Sequence, residues 1–316
     1  MSSIYDTQDL NSLASEGEKS IESGKTDEAL RIYQKLEEQS RSSGDKRFLA
    51  LSLGKQAIIF EKIRRREDAL QMQQESTKIL KEMEEWPSLQ LSLKHQASLL
   101  FEMGCFDKSL AVAQELERIC QLVGDQKGIA EALRSQGNAL KETLGFKEAI
   151  IKYLEEEEIY RRINDLKGLA LSLNEHVRYL KRDHRFQEAI ELLEEQEEIY
   201  RKIGNEDGIF ETLAERVQIY EVLQELDNAF AILKKQEAIA RNREPAFLAG
   251  FLIDEAGHYR VYGDWETHKE LLHKALSIAQ EHNLQEKEEL ALWFISQAEN
   301  EEANLGGNPP GRLRLK

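Results

Sequence analysis

The chain is short of proline, cysteine and positive charge. Only four of its 316 residues are proline (Pro87, Pro245, Pro309 and Pro310), and none falls where a helix interior is expected. With 32% charged residues, that scarcity points to an all-α chain. The two cysteines, Cys105 and Cys120, form no CxxC and show no framework spacing. A disulfide scaffold is thereby excluded, and a reduced, cytoplasmic setting is expected. The net charge of −16 repels nucleic acid and anionic membranes over most of the surface, so neither is an expected partner. The opening MSSIYDTQDL has neither a basic lead nor an apolar core, so no secretory signal is expected. The longest apolar run, around Phe247–Ile253, is far too short to span a bilayer.

Catalytic and metal signatures are missing as well. There is no HExxH, no GxSxG and no phosphate-cradling GxxxxGK[ST], and no Cys/His cluster has zinc spacing. His268 and His273 are five residues apart, a poor spacing for one helix face. A non-catalytic protein with no cofactor and no metal is expected.

What the chain does have is a period of forty residues. One column runs Ala29, Ala69, Ser109, Ala149, Ala189, Ala229 and, after a one-residue slip, His268. A second runs Leu13, Leu53, Leu93, Leu133, Leu173, Leu213 and, after the same slip, Leu252. A fixed period in this range marks stacked supersecondary units. Within each unit the apolar residues recur at three- and four-residue spacing in two stretches, predicting two amphipathic helices, A and B. Gly44, Gly124, Asn164 and Gly204 follow the B stretches, where a left-handed residue closes a helix. Asp45, Asp125, Asp165 and Asn205 come next and can cap the following helix. Seven A/B pairs result over residues 7–283. A capping helix is expected over 284–304, with Leu290, Leu292 and Ile295 on one side, and a disordered tail over 305–316.

These columns resemble the tetratricopeptide repeat in its longer, roughly forty-residue variety. The residues that carry the likeness are the helix A leucines, the small residues four later (Ala57, Ala97, Gly137), and the large residues three beyond (Phe60, Leu100, Leu140, Leu180, Tyr220). An aromatic before helix B (Phe106, Phe146, Phe186, Trp265) and the helix B alanines complete it, while Val177 and Val217 depart from the small column. The resemblance implies a right-handed superhelical solenoid with A helices lining a concave groove that binds protein or peptide. It also implies kinship with arrays that serve as sensors or scaffolds in larger regulators.

On the helix A side expected to line that groove stand Lys94, then Arg134, Asn138 and Lys141, then Asn174, Arg178, Lys181 and Arg182. The same columns elsewhere hold Gly54, Ile58 and Glu61, or Ala214, Gln218 and Glu221. A basic strip in an acidic protein focuses positive field, and its guanidinium, ammonium and amide groups suit carboxylates and peptide backbone. Phe101 and Ile58 stand near enough to add apolar contact. The expected ligand is an acidic peptide or partner segment; the alternative is a sensor for nucleic acid or a nucleotide held by the same strip. Neutralisation by Glu131, Glu142 and Glu175 is the competing reading, and the strings Glu155–Glu158 and Glu194–Glu198 read as solvated faces with i,i+4 pairs. Oligomeric state is left open.

Two columns that should be buried are polar. One, on helix A, holds Gln56, Gln96, Gln136, His176, Arg216 and Glu255; the other, seven residues after the B alanine, holds Ser76, Glu156, Gln196 and Gln236. A lone buried carboxylate is costly, so partners across repeats are expected: Glu156 with His176, Gln196 with Arg216, Gln236 with Glu255 and Ser76 with Gln96. Rotation of both columns to the solvent edge is the other possibility.

Overall fold

A single helix pair cannot bury its own apolar stripes, so units of this kind hold together by stacking. The computed structural model describes residues 7–304, and every regular element among them is a helix. The A helices are α1 (Thr7–Glu22), α3 (Lys46–Lys62), α5 (Trp86–Glu102), α7 (Gln126–Thr143), α9 (Leu166–Arg182), α11 (Glu206–Val222) and α13 (Pro245–Val261). The B helices that alternate with them are α2 (Thr26–Ser43), α4 (Arg66–Glu82), α6 (Phe106–Val123), α8 (Phe146–Ile163), α10 (Phe186–Ile203), α12 (Leu226–Ala240) and α14 (Trp265–Glu281), and α15 (Gln285–Asn304) follows them. The expected tail, 305–316, lies outside the described residues. Contacts gather the helices into two compact units, one through Tyr179 and one from Leu180, with the boundary inside α9.

The architecture is the all-α solenoid that the periodicity predicted. Its leucine and alanine columns are the core: Leu53, Leu93, Leu133, Leu173 and Leu213 are buried, as are Ala29, Ala69, Ala149, Ala189 and Ala229. Both departures in the alanine column find the same remedy. Ser109 Oγ donates to the carbonyl of Ala97 at 2.8 Å, and His268 Nδ1 lies 2.7 Å from that of Ala256, in each case twelve residues back on the A helix. The His268 contact requires the proton on Nδ1, and burial pushes the ring's pKa down. The small column also matches its partner. A Cβ at Gly17 would come within 2.6 Å of the Tyr33 ring, and one at Gly137 within 2.6 Å of the Tyr153 ring. Where helix A has alanine or valine, as at Ala97, Val177 and Val217, the B residue sixteen later is Ala113, Leu193 or Leu233.

The turns obey the expected rule with residues that do not advertise it. Gly44, Gly124, Gly204 and Asn164 are left-handed, but so are Arg64, Glu84, His184 and Gln224. The caps behave as expected: Asp45 accepts from the backbone N–H of Phe48 at 3.2 Å, and Asp125 and Asn205 accept from those of Gly128 and Gly208 at 2.9 and 3.0 Å. Pro87 and Pro245 sit in the first turns of α5 and α13, where no N–H is needed.

Both polar columns are buried apart from half-buried His176, so the solvent-edge possibility falls. The expected pairings, however, are off by one position. Glu156 does not meet His176: its partner is Arg134 of α7, the A helix before it, while His176 Nδ1 lies 3.0 Å from Glu157. Arg216 meets Glu197 at 2.8 Å and Glu194 at 2.6 Å rather than Gln196, which instead accepts from Thr212 at 3.3 Å. Gln96 accepts from Thr77 at 3.2 Å; Ser76 donates to the Ala50 carbonyl at 2.9 Å, and Gln236 to the Phe210 carbonyl at 3.0 Å. The reason is angular. The position seven after the alanine generally faces the preceding A helix, and one residue, about 100° of helix, turns the chain to the next A helix. A regular ladder with a nineteen-residue step follows: Glu37–Gln56 at 2.6 Å, Thr77–Gln96, Glu117–Gln136 at 2.6 Å, Glu157–His176 and Glu197–Arg216.

In the second unit the next rung sets Glu237 against Glu255, the one like-charged combination in the series. Glu255 is 3% exposed, and its Oε2 has no hydrogen-bond partner. Burial, with Glu237 adding to it, pushes its pKa up to about 7, against the pull of Lys274, Arg241 and Lys234. On α15, Ala291 and Ile295 are buried among Leu271, Leu272 and Ala275 of α14. Leu290 and Leu292, expected on the same side as Ile295, are exposed together with Trp293. One residue of helix rotates each of the two leucines off the seam that Ala291 defines.

Two outcomes are expected. A carboxyl whose folded pKa is raised loses stability as pH climbs from its unfolded value of about 4.3 towards 7, and carries the full penalty above that. Glu255→Gln is therefore expected to stabilise the protein by roughly 1–3 kcal/mol at pH 8 and by little at pH 4, read by denaturant unfolding at both. Truncation before Gln285 uncovers Leu271, Leu272 and Ala275, and is expected to cause self-association in sedimentation velocity; a monomeric truncation with unchanged Tm would show that α15 does not serve as a cap.

Candidate functional site

In the first unit, α5, α7 and α9 each turn one face away from the core. Leu93, Leu133 and Leu173 point inward, and the residue after each points out: Lys94, Arg134 and Asn174. On α7, Asn138 and Lys141 follow Arg134 at four and seven residues, the repeat of one helix face. Arg178 holds the place of Asn138 on α9.

Cross-helix ion pairs tie these faces together. Lys94 Nζ lies 2.7 Å from Glu131 of α7, and Lys141 Nζ lies 3.3 Å from Glu175 of α9. Glu175 also receives Arg178 at 2.9 Å, so one carboxylate serves two cations. The Lys141 ammonium stands 5.5 Å from the centre of the Phe146 ring as well. Asn138 presents its side-chain oxygen to the Tyr153 hydroxyl at 2.8 Å. Glu18 does the same for Tyr33 at 2.6 Å in the first repeat. Asn174 is exposed beside Glu175. Of the expected strip, the first unit thus assembles Lys94, Arg134, Asn138, Lys141, Asn174 and Arg178. Lys181 and Arg182 belong to the second unit, where half-buried Lys181 pairs with Glu215 of α11 and Arg182 is exposed.

Arg134 differs from the other cations. Its Nε donates to Glu156 Oε1 at 2.6 Å, and its Nη2 lies 2.6 Å from the same oxygen without hydrogen-bond geometry. The Glu156 side chain is 1% exposed, whereas that of Arg134 is 32% exposed. The second carboxylate oxygen, Oε2, is buried with no hydrogen-bond partner. Burial pushes the Glu156 pKa up to about 7, and Glu157 and Glu175 push the same way, while Arg134 pulls it down. Next to it, Glu157 is held below the usual carboxylate range: burial opposes ionisation, but His176 and Arg161 outweigh it. Neighbouring glutamates on α8 therefore differ in proton affinity because one has a single cation and the other two partners.

The exposed pairs cost little to rearrange, since such bridges contribute about 0–1 kcal/mol each. An anion approaching Lys94, Arg178 or Lys141 competes with a carboxylate already in place rather than meeting a bare cation. Leu91 and Leu171, three residues before Lys94 and Asn174, are 57% and 51% exposed and add apolar surface to the face. Both leucines, and the role of Glu156, escaped the sequence reading. Their signals were a spacing of three before the basic column and of twenty-two after Arg134.

Other features offer less. An open trough of about 870 Å³ in the second unit, lined by Trp265, Lys269, His273, Lys274 and Glu299 among others, mixes both charge signs and lies on different helices. Among the described residues no group of three or more His, Cys, Asp or Glu is placed to hold a metal ion, and no helix is long and apolar enough to cross a membrane.

Comparison with known proteins supports the architecture. A signal transduction ATPase with numerous domains from Pyrococcus horikoshii, carrying a tetratricopeptide repeat sensor, superposes with a TM-score of 0.67 at 15% identity over 90% of this chain. The chain spans 45% of that protein's length. RapI in its apo form gives 0.58 at 14% identity over 87% of this chain and 99% of its own. A tetratricopeptide repeat protein from Parabacteroides merdae gives 0.51 at 15% identity, over 90% and 99% respectively. The fold is the tetratricopeptide-type helical solenoid. No protein-family model matches the chain, and no curated protein matches it in sequence.

The asymmetry between Arg134 and the other cations is measurable. Arg134→Met leaves Glu156 buried without its cation and is expected to cost about 2–3 kcal/mol at pH 8. The loss should shrink below pH 6, where Glu156 is protonated. Lys94→Ala or Arg178→Ala is expected to cost less than about 0.5 kcal/mol at either pH. Equal losses for all three in urea unfolding would mean that burial of Glu156 has no energetic consequence.

Proposed function

We propose that the chain is a non-catalytic interaction scaffold that holds an acidic peptide or partner segment along the α5–α7–α9 face. The observation that carries this reading is the concentration of Lys94, Arg134, Lys141 and Arg178 beside exposed Leu91 and Leu171, in a chain of net charge −16. Cations supply charge-assisted hydrogen bonds to carboxylates, and the leucines supply desolvation that salt does not screen. Lys181 and Arg182, in the second unit, are candidate contacts of their own. The ligand that fits is therefore amphipathic, with acidic groups alternating with apolar ones.

The decisive variant is Lys94→Glu/Arg178→Glu, because both side chains are more than half exposed and neither supports the core. With a rhodamine-labelled peptide of glutamates flanked by leucines, the double variant is expected to lower affinity at least tenfold, seen by fluorescence anisotropy, with Tm unchanged. Equal affinity in the two proteins would remove the face as the site.

A second reading is a sensor of nucleic acid or a nucleotide on the same strip, favoured by the likeness to the tetratricopeptide repeat sensor of the Pyrococcus protein. A labelled oligonucleotide distinguishes it. Phosphate recognition gives a linear fall of log affinity with log salt, at a slope of roughly −0.7 per phosphate neutralised on a single strand. Capture of an acidic amphipathic peptide keeps a salt-resistant apolar part.

A further inference from the structure

We infer that an anion is captured on this face by exchange: Arg134 leaves Glu156 for the ligand, and the buried Glu156 takes up one proton from solvent as it does so. The inference rests on the proposed acidic-ligand reading and adds a proton to its balance sheet.

The geometry leaves Glu156 few options. Its side chain is sealed from solvent, and Arg134 is its one hydrogen-bonding partner at Oε1, while Oε2 has none. The charged groups around it come from three helices. On α7 there is Arg134; on α8 there is Glu157, itself tied to Arg161 and to His176; on α9 there are Glu175 and His176. Tyr153 and Tyr160 on α8 add phenols, whose pKa values are raised by burial and further by Glu156, so they stay neutral. Glu175 is committed to Lys141 and Arg178, and His176 to Glu157. Among the described residues, Arg134 is the cation that pulls the Glu156 pKa down. The Arg134 side chain is partly exposed, while its Nη2 is buried and outside hydrogen-bond geometry to Glu156. It is the group through which the surface can reach the buried carboxylate.

If Arg134 turns to a ligand carboxylate, a charged Glu156 would remain alone in a dry site, which is more costly than protonating it. The step balances as one proton from solvent added to one carboxylate oxygen, with the ligand's negative charge replacing that of Glu156 beside Arg134. Linkage sets the sign. Before binding, Glu156 titrates at about 7; after binding, with Arg134 withdrawn, it titrates higher. Below pH 7 the proton is already in place and affinity is flat. Above pH 7 a proton must be taken up, and affinity falls by up to roughly tenfold per pH unit until the higher value is reached. The glutamates of a peptide ligand do not titrate in that range, with pKa values of about 4.3.

The test uses the full chain and the rhodamine-labelled glutamate–leucine peptide between pH 6 and 9. Wild type is expected to weaken above pH 7, and titration calorimetry at pH 8 in phosphate and in Tris is expected to report uptake of close to one proton. Glu156→Gln keeps the shape and removes the competing charge; it is expected to bind more tightly than wild type at pH 8, with the pH dependence gone. His176→Gln, which removes the nearby imidazole, is expected to keep the pH dependence. Peptide binding with no proton uptake, or with a pH profile unchanged in Glu156→Gln, would overturn the exchange and leave the binding face standing. Absence of peptide binding in both proteins at every pH would overturn the binding face and the exchange together. Should Glu156→Gln fail to fold, the two-buffer calorimetry on wild type decides alone.

Discussion

The register of this solenoid depends on hydrogen bonds that cross from the first five B helices to the A helices that follow them. Apolar stripes hold helices together but tolerate sliding, because dispersion and desolvation have little directional preference. A carboxylate or amide placed in that interface is different: it must meet a complementary group at about 3 Å or bear the cost of desolvation. The nineteen-residue ladder, from Glu37–Gln56 to Glu197–Arg216, sets such a demand at each junction and thereby selects one register. Its chemistry changes from rung to rung, from amide–carboxylate to hydroxyl–amide to imidazole–carboxylate and guanidinium–carboxylate, while the geometry stays the same. Complementarity is kept along the ladder while residue identity is not.

The same constraint explains where the molecule becomes responsive. Two glutamates are buried without a full set of partners, and in both the proton replaces what the ladder withholds. Glu255 faces Glu237 in a rung that has no donor. Glu156 stands one position before the ladder, on the side of the preceding A helix, and reaches the surface through Arg134. Glu156 is not a general feature of the repeats, since Ser76 and Gln236 occupy its column and simply donate to backbone carbonyls. Burial with an incomplete partner set is what makes a carboxylate titrate near neutrality. Here that condition arises beside the basic face in the first unit, at Glu156, and once in the second unit, at Glu255.

The basic face shows how a charge pattern changes meaning once it is folded. As a linear string, Lys94, Arg134, Lys141 and Arg178 read as an excess of positive charge. In three dimensions each meets a carboxylate from its own or a neighbouring helix, so the face is an array of exchangeable pairs. Under the proposed reading, such an array binds an anion by substitution. Affinity then depends on the difference between two partners and not on the full attraction of a bare cation, which favours discrimination over strength.

The forty-residue period, the alternation of A and B helices, the capping aspartates and the burial of the leucine and alanine columns were all determined by the sequence itself. Each rests on local propensity or on a periodicity that one strand of text displays. Even the matching of Gly17 and Gly137 to Tyr33 and Tyr153 is visible as a spacing of sixteen. Tertiary structure alone decided which of two adjacent glutamates, Glu156 or Glu157, faces the next repeat and which the preceding helix. It also decided that Arg64, Glu84, His184 and Gln224 occupy left-handed turns, and that Leu290 and Leu292 lie off the seam made by Ala291 and Ile295. For the glutamates and the leucines the reason is the same. A helix turns by about 100° per residue, so an error of a few tens of degrees in the predicted facing moves a side chain from one neighbour to another. Sequence periodicity defines a stripe to within about that width, and only packed neighbours make the angle definite.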